Sequence, residues 1–76
     1  MSSIIQSVLF KKTDYDVLEA VKWLKLHKFK VHRLDLTHKW LRFRQYDPIY
    51  LKNEGYTHYS NRFIENDKII LVISYK

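Results

Sequence analysis

KWLRFRQY, residues 39–46, is the stretch that decides the predicted fold, because its side chains alternate in character. Successive side chains of a β-strand point to opposite faces of the sheet. As a strand, this stretch turns Leu41 and Phe43 towards a core. Its opposite face presents two arginines bracketed by two aromatic residues: Trp40, Arg42, Arg44 and Tyr46. Thr, Lys, Glu and Ser are usual on a solvent face, so this pattern indicates a surface that contacts a flat, negatively charged partner.

The length and composition of the chain predict one domain that spans residues 1–76. Apolar residues make up 46% of the sequence, which is enough for a folded core and argues against disorder. A domain of this size buries only about 60% of the surface that its unfolded chain exposes. We therefore expect a dimer or a bound ligand to add to its stability.

The cellular setting is constrained by what the sequence lacks. There is no cysteine, which excludes a disulfide framework and a thiolate metal site. The first residues lack the basic start and apolar run of a signal peptide, and no apolar run approaches the roughly 18 residues of a membrane span. We expect a soluble intracellular protein without a membrane span.

The hydrophobic pattern predicts an α+β fold in which one main helix packs on a mostly antiparallel sheet. The expected order is β-α-β-β-β, with room for an additional short strand. In chain order, the predicted elements are a strand over 4–10, a helix over about 14–27, strands over 29–36 and 39–46, an irregular segment over 49–60, and strands over 62–65 and 68–75 joined by a hairpin turn at Asn66-Asp67.

The ends of the predicted helix leave alternatives open. At its start, Thr13 caps the helix with Asp16 returning the hydrogen bond, or Asp14 is the cap if the helix begins one residue later. No glycine follows the helix. Either His27 or Lys28 therefore adopts the left-handed conformation, or the turn is open.

Two strands determine which side chains share a face. The alternation of residues 29–36 places Leu34 and Leu36 on the core face, and Arg33 and Asp35 on the other face with the arginines of strand three. The last run, residues 68–75, is apolar on both faces. It is therefore either a central strand or an edge strand paired with another subunit.

The positive charge is concentrated in one segment. The whole chain carries a net charge of +6, whereas residues 22–44 hold eight basic residues and one acidic residue. Such a field attracts polyanions: nucleic acid first, then an anionic lipid surface or an acidic protein. A basic surface that only keeps the protein soluble is the alternative.

No residue pattern indicates catalysis. The four histidines have no helical His-x3-His spacing, and the single glycine excludes a glycine-rich phosphate loop. Neither does a nucleophile elbow accompany the serines. Acidic residues at the start of the helix could hold magnesium, but helix capping explains them better. We therefore expect a non-enzymatic protein with no catalytic residue, metal site, cofactor or small-molecule substrate.

The strand-three face is the candidate binding surface. Arginine forms bidentate hydrogen bonds to phosphate and stacks on bases, and aromatic rings stack on bases too. The candidate nucleic-acid-binding residues, for DNA or RNA, are Lys30, Arg33, Lys39, Trp40, Arg42, Arg44 and Tyr46. Arginine and tryptophan are also favoured at protein interfaces, so a homodimer or another protein-protein contact through this face or the C-terminal strand is the alternative.

A resemblance adds a biological setting. The segments that carry it are 7–11 (SVLFK), 19–20 (EA), 23–25 (WLK), 27–30 (HKFK), 41–45 (LRFRQ), Pro48 and 70–75 (ILVISY). In these segments the chain resembles a small uncharacterised domain of large DNA viruses, marseillevirus-like viruses among them, and of some phage proteins. It departs from that pattern at Lys28, where a glycine is expected.

The resemblance implies a viral protein that binds genome or transcripts, or is packaged in the virion, and so acts in the virion or the infected host cell. It brings no established activity. Arg42 and Arg44 are the matching positions that we expect to carry binding.

Overall fold

Residues 2–76, the part of the chain that the computed structural model describes, form five strands and two helices. In chain order these are β1 (Ser3–Lys11), α1 (Val17–Leu26), β2 (Leu34–Leu36), β3 (Trp40–Arg44), α2 (Pro48–Asn53), β4 (His58–Ile64) and β5 (Ile69–Tyr75). The predicted α+β class, with one main helix on an antiparallel sheet, is confirmed. The short helix α2 and the full length of β4 were not predicted.

The strands form one antiparallel sheet in the order β2-β3-β1-β5-β4. The C-terminal strand β5 pairs with β1 on one side and β4 on the other. It is therefore a central strand, which is one of the two alternatives predicted for this apolar run. The other alternative, an edge strand paired with another subunit, is wrong because both edges of β5 are already paired. The sheet edges are the three-residue β2 and the seven-residue β4.

The register separates two faces of the sheet. Val8 lies opposite Phe43 and Phe10 opposite Leu41, and all four side chains are buried beneath α1 on what we call the core face. The intervening residues of β1 and β3 point to the other face, the open face. There Ser7 lies opposite Arg44, Leu9 opposite Arg42 and Lys11 opposite Trp40. The predicted alternation of β3 is thus confirmed.

Aromatic packing on Phe10 joins the main elements. Its ring is fully buried and meets the rings of Tyr15, Trp23 and Phe43 edge-on, at centroid distances of 5.3, 5.6 and 5.7 Å. Such edge-to-face pairs contribute about 0.5–1.5 kcal/mol each beyond the burial of their area. The cluster connects β1, α1 and β3, and so fixes which face of the sheet the helix covers.

The start of α1 differs from the predicted caps. Asp16 is the N-cap: its carboxylate accepts the Glu19 backbone N–H at 2.8 Å, and the Glu19 carboxylate accepts the Asp16 N–H at 3.1 Å. The carbonyl of Lys11 accepts the N–H groups of both Asp14 and Tyr15, so residues 11–15 form a turn. Because of this turn, the helix begins later in the chain than predicted, and both predicted caps, Thr13 and Asp14, are wrong.

The end of α1 is closed by Lys28. Its φ of +63° is left-handed, its N–H donates to the Lys25 carbonyl, and the Phe29 N–H donates to the Leu24 carbonyl. These are the two hydrogen bonds of a Schellman motif, in which glycine is usual at the left-handed position. Of the predicted helix endings, the left-handed Lys28 is confirmed.

The predicted strand over 29–36 is shorter than expected. Only Leu34–Leu36 pair with β3, because Arg33 also has a left-handed φ of +61° and breaks the extended chain. Leu34 and Leu36 lie opposite Phe43 and Leu41, as predicted, and Asp35 lies opposite Arg42. The prediction that Arg33 shares the strand with Asp35 is wrong.

The segment predicted to be irregular begins with α2. Asp47 caps it by accepting the Ile49 N–H at 3.0 Å, and Pro48 occupies the first turn, where a missing N–H does no harm. Gly55 has the expected positive φ, +83°. The β4–β5 hairpin has a turn of four residues, 65–68, rather than two, and three of them have positive φ: Glu65, Asn66 and Asp67.

Replacing the observed cap tests this description of α1. We expect Asp16→Ala to lower the free energy of unfolding by about 1 kcal/mol, since it removes the acceptor for the Glu19 N–H. Thr13→Ala, the matched control at a cap predicted from sequence, should change it by less than about 0.5 kcal/mol. Urea unfolding followed by circular dichroism measures both. A loss at Thr13 equal to that at Asp16 would contradict the assignment.

Candidate nucleic-acid interface

The open face carries the two arginines of β3 in a defined arrangement. Arg44 Nε lies 2.6 Å from Asp35 Oδ2, and Arg42 Nη2 lies 3.4 Å from the same oxygen. All three side chains are about one-third to two-fifths exposed. Asp35 therefore holds both guanidinium groups in place while leaving each accessible, and the three groups together carry one net positive charge.

Arg42 has an unsatisfied donor. Within residues 2–76, its Nε is buried and has no hydrogen-bond partner. A buried N–H without an acceptor costs about 1–3 kcal/mol, so such groups are uncommon in folded proteins.

The helix α2 lies over one end of the open face and encloses a cavity of about 370 Å³ with it. From β3 the wall includes Arg42 and Arg44, and from α2 it includes the buried Leu51 and the exposed Lys52. Four hydroxyl-bearing residues also line it: Ser7, Tyr46, Tyr56 and Thr57. The cavity thus combines cations, hydroxyl groups and aromatic rings.

The two aromatic residues that bracket the arginines lie near opposite ends of the row. Trp40 begins β3, is half-buried, and has both its backbone N–H and carbonyl bonded to the Thr37 hydroxyl. Tyr46 follows β3, lines the cavity and stacks on Tyr50 with ring centroids 5.5 Å apart. The chain is a regular strand only over Trp40–Arg44, and Gln45 and Tyr46 follow it in a bend.

Lys30 lies at the rim of this surface. The side chain of Gln45 accepts the Lys30 N–H at 2.8 Å and donates to the Lys30 carbonyl at 3.0 Å. This arrangement brings the Lys30 ammonium to 4.8 Å from the centre of the Tyr46 ring. Lys30 lines a second cavity of about 300 Å³, on the other side of Tyr46.

Two predicted residues do not line the cavity. The Arg33 guanidinium forms an ion pair with Asp47 at 3.0 Å, so it connects the start of β2 to the start of α2. Lys39 is exposed in the β2–β3 turn, at the opposite end of β3 from the cavity. The structure therefore brings Arg42, Arg44 and Tyr46 to one cavity, with Trp40 on the same strand and Lys30 beside Tyr46. Arg33 is engaged by Asp47 instead, and Lys39 lies at the far end of β3.

Several residues of the cavity were not predicted from the sequence: Gln6, Ser7, Lys52, Tyr56 and Thr57. Gln6 and Ser7 reach the cavity from β1, whereas Lys52, Tyr56 and Thr57 reach it from α2 and the residues after it, a segment that the sequence predicts to be irregular. The dipeptide Asp47-Pro48 carried the signal, since an N-cap residue followed by proline is a typical helix start.

The basic segment 22–44 does not form a single surface. Lys22 and Lys25 are exposed on α1, beyond the core face, whereas Arg42 and Arg44 lie on the open face. The basic residues of this segment are therefore divided between the helix side and the open face of the sheet.

Residues 2–76 contain neither a membrane-spanning helix nor a cluster of metal-ligating side chains. None of the helices is long and apolar enough to cross a membrane. No group of three or more His, Asp or Glu side chains in the same residues converges as a metal site would require.

Comparison with known proteins gives no relative for this chain. No family model, curated protein or solved structure matches it. The viral resemblance read from the sequence therefore stays a prediction.

Protonation of Asp47 should weaken the attachment of α2. The Ile49 N–H and then the Arg33 guanidinium hold the pKa of Asp47 below its ordinary value of 3.8. Because the native pKa is the lower one, the stabilisation is complete above the unfolded pKa and is lost as the pH falls through the native value. We expect Asp47→Asn, which retains a capping oxygen, to be less stable than the wild type at neutral pH, with the difference shrinking below pH 3.8.

Urea unfolding of both proteins across this pH range measures the effect. Asp67→Asn is the matched control, since it removes the same charge from the exposed β4–β5 turn. A difference between wild type and Asp47→Asn that is independent of pH would contradict the ionic role of Asp47.

Proposed function

We propose that this chain is a small basic non-enzymatic protein that binds nucleic acid through the open face of β3. The observation that carries the proposal is the pair Arg42 and Arg44, held side by side on one carboxylate between Trp40 and Tyr46. Guanidinium groups recognise phosphate by paired hydrogen bonds, and they are more weakly hydrated than ammonium groups.

The geometry favours a single strand. Arg42 and Arg44 are two residues apart on one strand, about 7 Å along its axis, so they can contact successive phosphates of an extended chain. Trp40 and Tyr46 at the two ends of the row supply rings on which unpaired bases can stack. Stacking on both ends requires unpaired bases, which a duplex does not present.

Asp35 has two effects in this proposal. It holds the arginines in one conformation before binding, which reduces the entropy lost when a phosphate binds. It also competes with phosphate for the same donors. The net positive charge of the trio, together with Lys30 and Lys52 at the rim, still favours an anionic ligand.

The resemblance to a domain of large DNA viruses and phage proteins gives the proposal a setting. There the ligand would be the viral genome or its transcripts, met in the virion or in the infected cell. The choice between DNA and RNA is part of the test.

Salt-dependent binding measures the number of phosphates engaged. We expect labelled single-stranded oligonucleotides to bind with a log–log salt slope of about −2.8 if Arg42, Arg44, Lys30 and Lys52 each neutralise one phosphate. Arg42→Gln/Arg44→Gln should lose affinity and make the slope shallower by about 1.4. Fluorescence anisotropy on DNA and RNA, single-stranded and duplex, provides the measurement.

Lys22→Gln/Lys25→Gln is the matched control, because it removes the same charge from α1. Its slope should stay close to the wild-type value. Equal losses in the two double variants would show that only net charge matters. That result, or no binding at low salt, would reject the proposed face.

A homodimer is a second candidate function, and the edge strand β4 favours it. β4 is seven residues long, contains no proline, and presents Tyr59 and Phe63 to solvent at 68% and 53% exposure. Long unprotected edges of this kind pair readily with other strands. Antiparallel pairing of two copies about Asn61 places Tyr59 of each copy opposite Phe63 of the other, an aromatic cross-strand pair.

Sedimentation equilibrium tests this candidate. We expect a dimer whose dissociation constant rises about tenfold or more in Phe63→Lys, because two symmetric aromatic pairs are lost and two charges are added. Leu18→Lys, at an exposed position on α1, is the matched control and should leave the constant unchanged. A monomer at all concentrations would reject the candidate.

A further inference from the structure

The cavity beneath α2 has the chemistry of an anion site. Three cationic side chains reach its wall: Arg42 and Arg44 from the sheet and Lys52 from the helix. As formed by residues 2–76, the wall contains no carboxylate, since Asp35 lies outside it. A concave, cation-lined space focuses positive potential more strongly than the flat remainder of the face.

We propose that this cavity binds one nucleotide, with its phosphate between Arg42, Arg44 and Lys52. The ligand class is a phosphate monoester carried on a nucleoside, either a free nucleotide or the terminal nucleotide of a strand. The proposal rests on the proposed function for the kind of ligand, and it adds a discrete site to what is otherwise an open surface.

The donors around the cavity match a phosphate. Asp35 engages Arg42 through Nη2 and Arg44 through Nε, which leaves further N–H groups of both partly exposed guanidinium groups to donate to a phosphate oxygen. A phosphate presents several strong acceptor oxygens, and Thr57 and Ser7 add hydroxyl donors to the same wall. A phosphate monoester carries more negative charge than an internal phosphodiester, so it matches a site with three cations better than a phosphodiester does.

The remaining space matches a nucleoside. A volume of about 370 Å³ lies within the usual range of small-molecule sites, about 300–1,000 Å³. Tyr46 and Tyr56 place two aromatic rings on the wall, and Leu51 and Pro48 add apolar surface. Aromatic rings are the usual stacking partners of bases, so the cavity can hold a base and a phosphate together.

Titration with three small probes tests the site. In ¹H–¹⁵N spectra, adenosine 5′-monophosphate should shift the backbone signals of Ser7, Lys52 and Thr57. Adenosine and inorganic phosphate, each lacking half of the ligand, should bind at least about tenfold more weakly. Equal affinity for inorganic phosphate and the nucleotide, or shifts confined to residues outside the cavity, would overturn the proposal.

A charge reversal supplies the matched variants. Lys52→Glu should weaken nucleotide binding by about tenfold or more, the effect of losing one charge-assisted hydrogen bond. Lys22→Glu makes the same change in net charge on α1 and should stay within about twofold of the wild type. Similar losses in both variants would overturn the proposal, and unchanged spectra elsewhere establish that each variant is folded.

The failure of this inference can be told apart from the failure of the proposed function. Oligonucleotides that bind while the nucleotide does not would overturn the cavity site and leave the open-face proposal standing. If the nucleotide binds in a way that depends on Lys52 while oligonucleotides do not bind, the open-face proposal is overturned and the cavity site stands. Where both bind, tighter binding of a 5′-phosphorylated oligonucleotide than of its 5′-hydroxyl counterpart identifies a strand terminus as the source, and equal binding identifies a free nucleotide.

Discussion

The edge-on contacts of Phe10 with Tyr15, Trp23 and Phe43 are the constraint on which the rest of the structure depends. They hold α1 against the sheet and determine which side chains of β1 and β3 point to the core face. Because side chains alternate along a strand, a shift of one residue would exchange the two faces. The outward direction of Arg42 and Arg44 is therefore a consequence of the burial of Phe10 and Phe43.

On the open face, the ion pairs of Asp35 with Arg42 and Arg44 position the two guanidinium groups of the candidate site. Asp35 reaches Arg42 and Arg44 because β2 pairs with β3 for three residues, just enough to bring its carboxylate opposite Arg42. The Arg33–Asp47 pair then fixes the start of α2, which closes the cavity. Arg33, which the sequence predicts to bind phosphate, thus forms a structural contact in the fold.

The sequence predicted the features that depend on local periodicity. The alternation along strand three and the helix follow from which residues are apolar, and the apolar C-terminal run left a central strand as one of two alternatives. What it could not predict depends on backbone conformation and tertiary contacts. Arg33 has a left-handed φ that few non-glycine residues adopt, so its departure from the strand carried no signal. Lys52 reaches the cavity only because α2 folds over the sheet, although Asp47-Pro48 could have indicated that helix.

The two tryptophans lie on opposite sides of the sheet, which allows a direct test of the central claim. Trp23 packs on Phe10 beneath α1, and Trp40 lies on the open face beside the arginines. The measurement is to follow both indole N–H resonances while a single-stranded oligonucleotide is added. The account predicts that the Trp40 signal shifts while the Trp23 signal stays in place. A shift of Trp23 with Trp40 unchanged, or no shift of either, would contradict it.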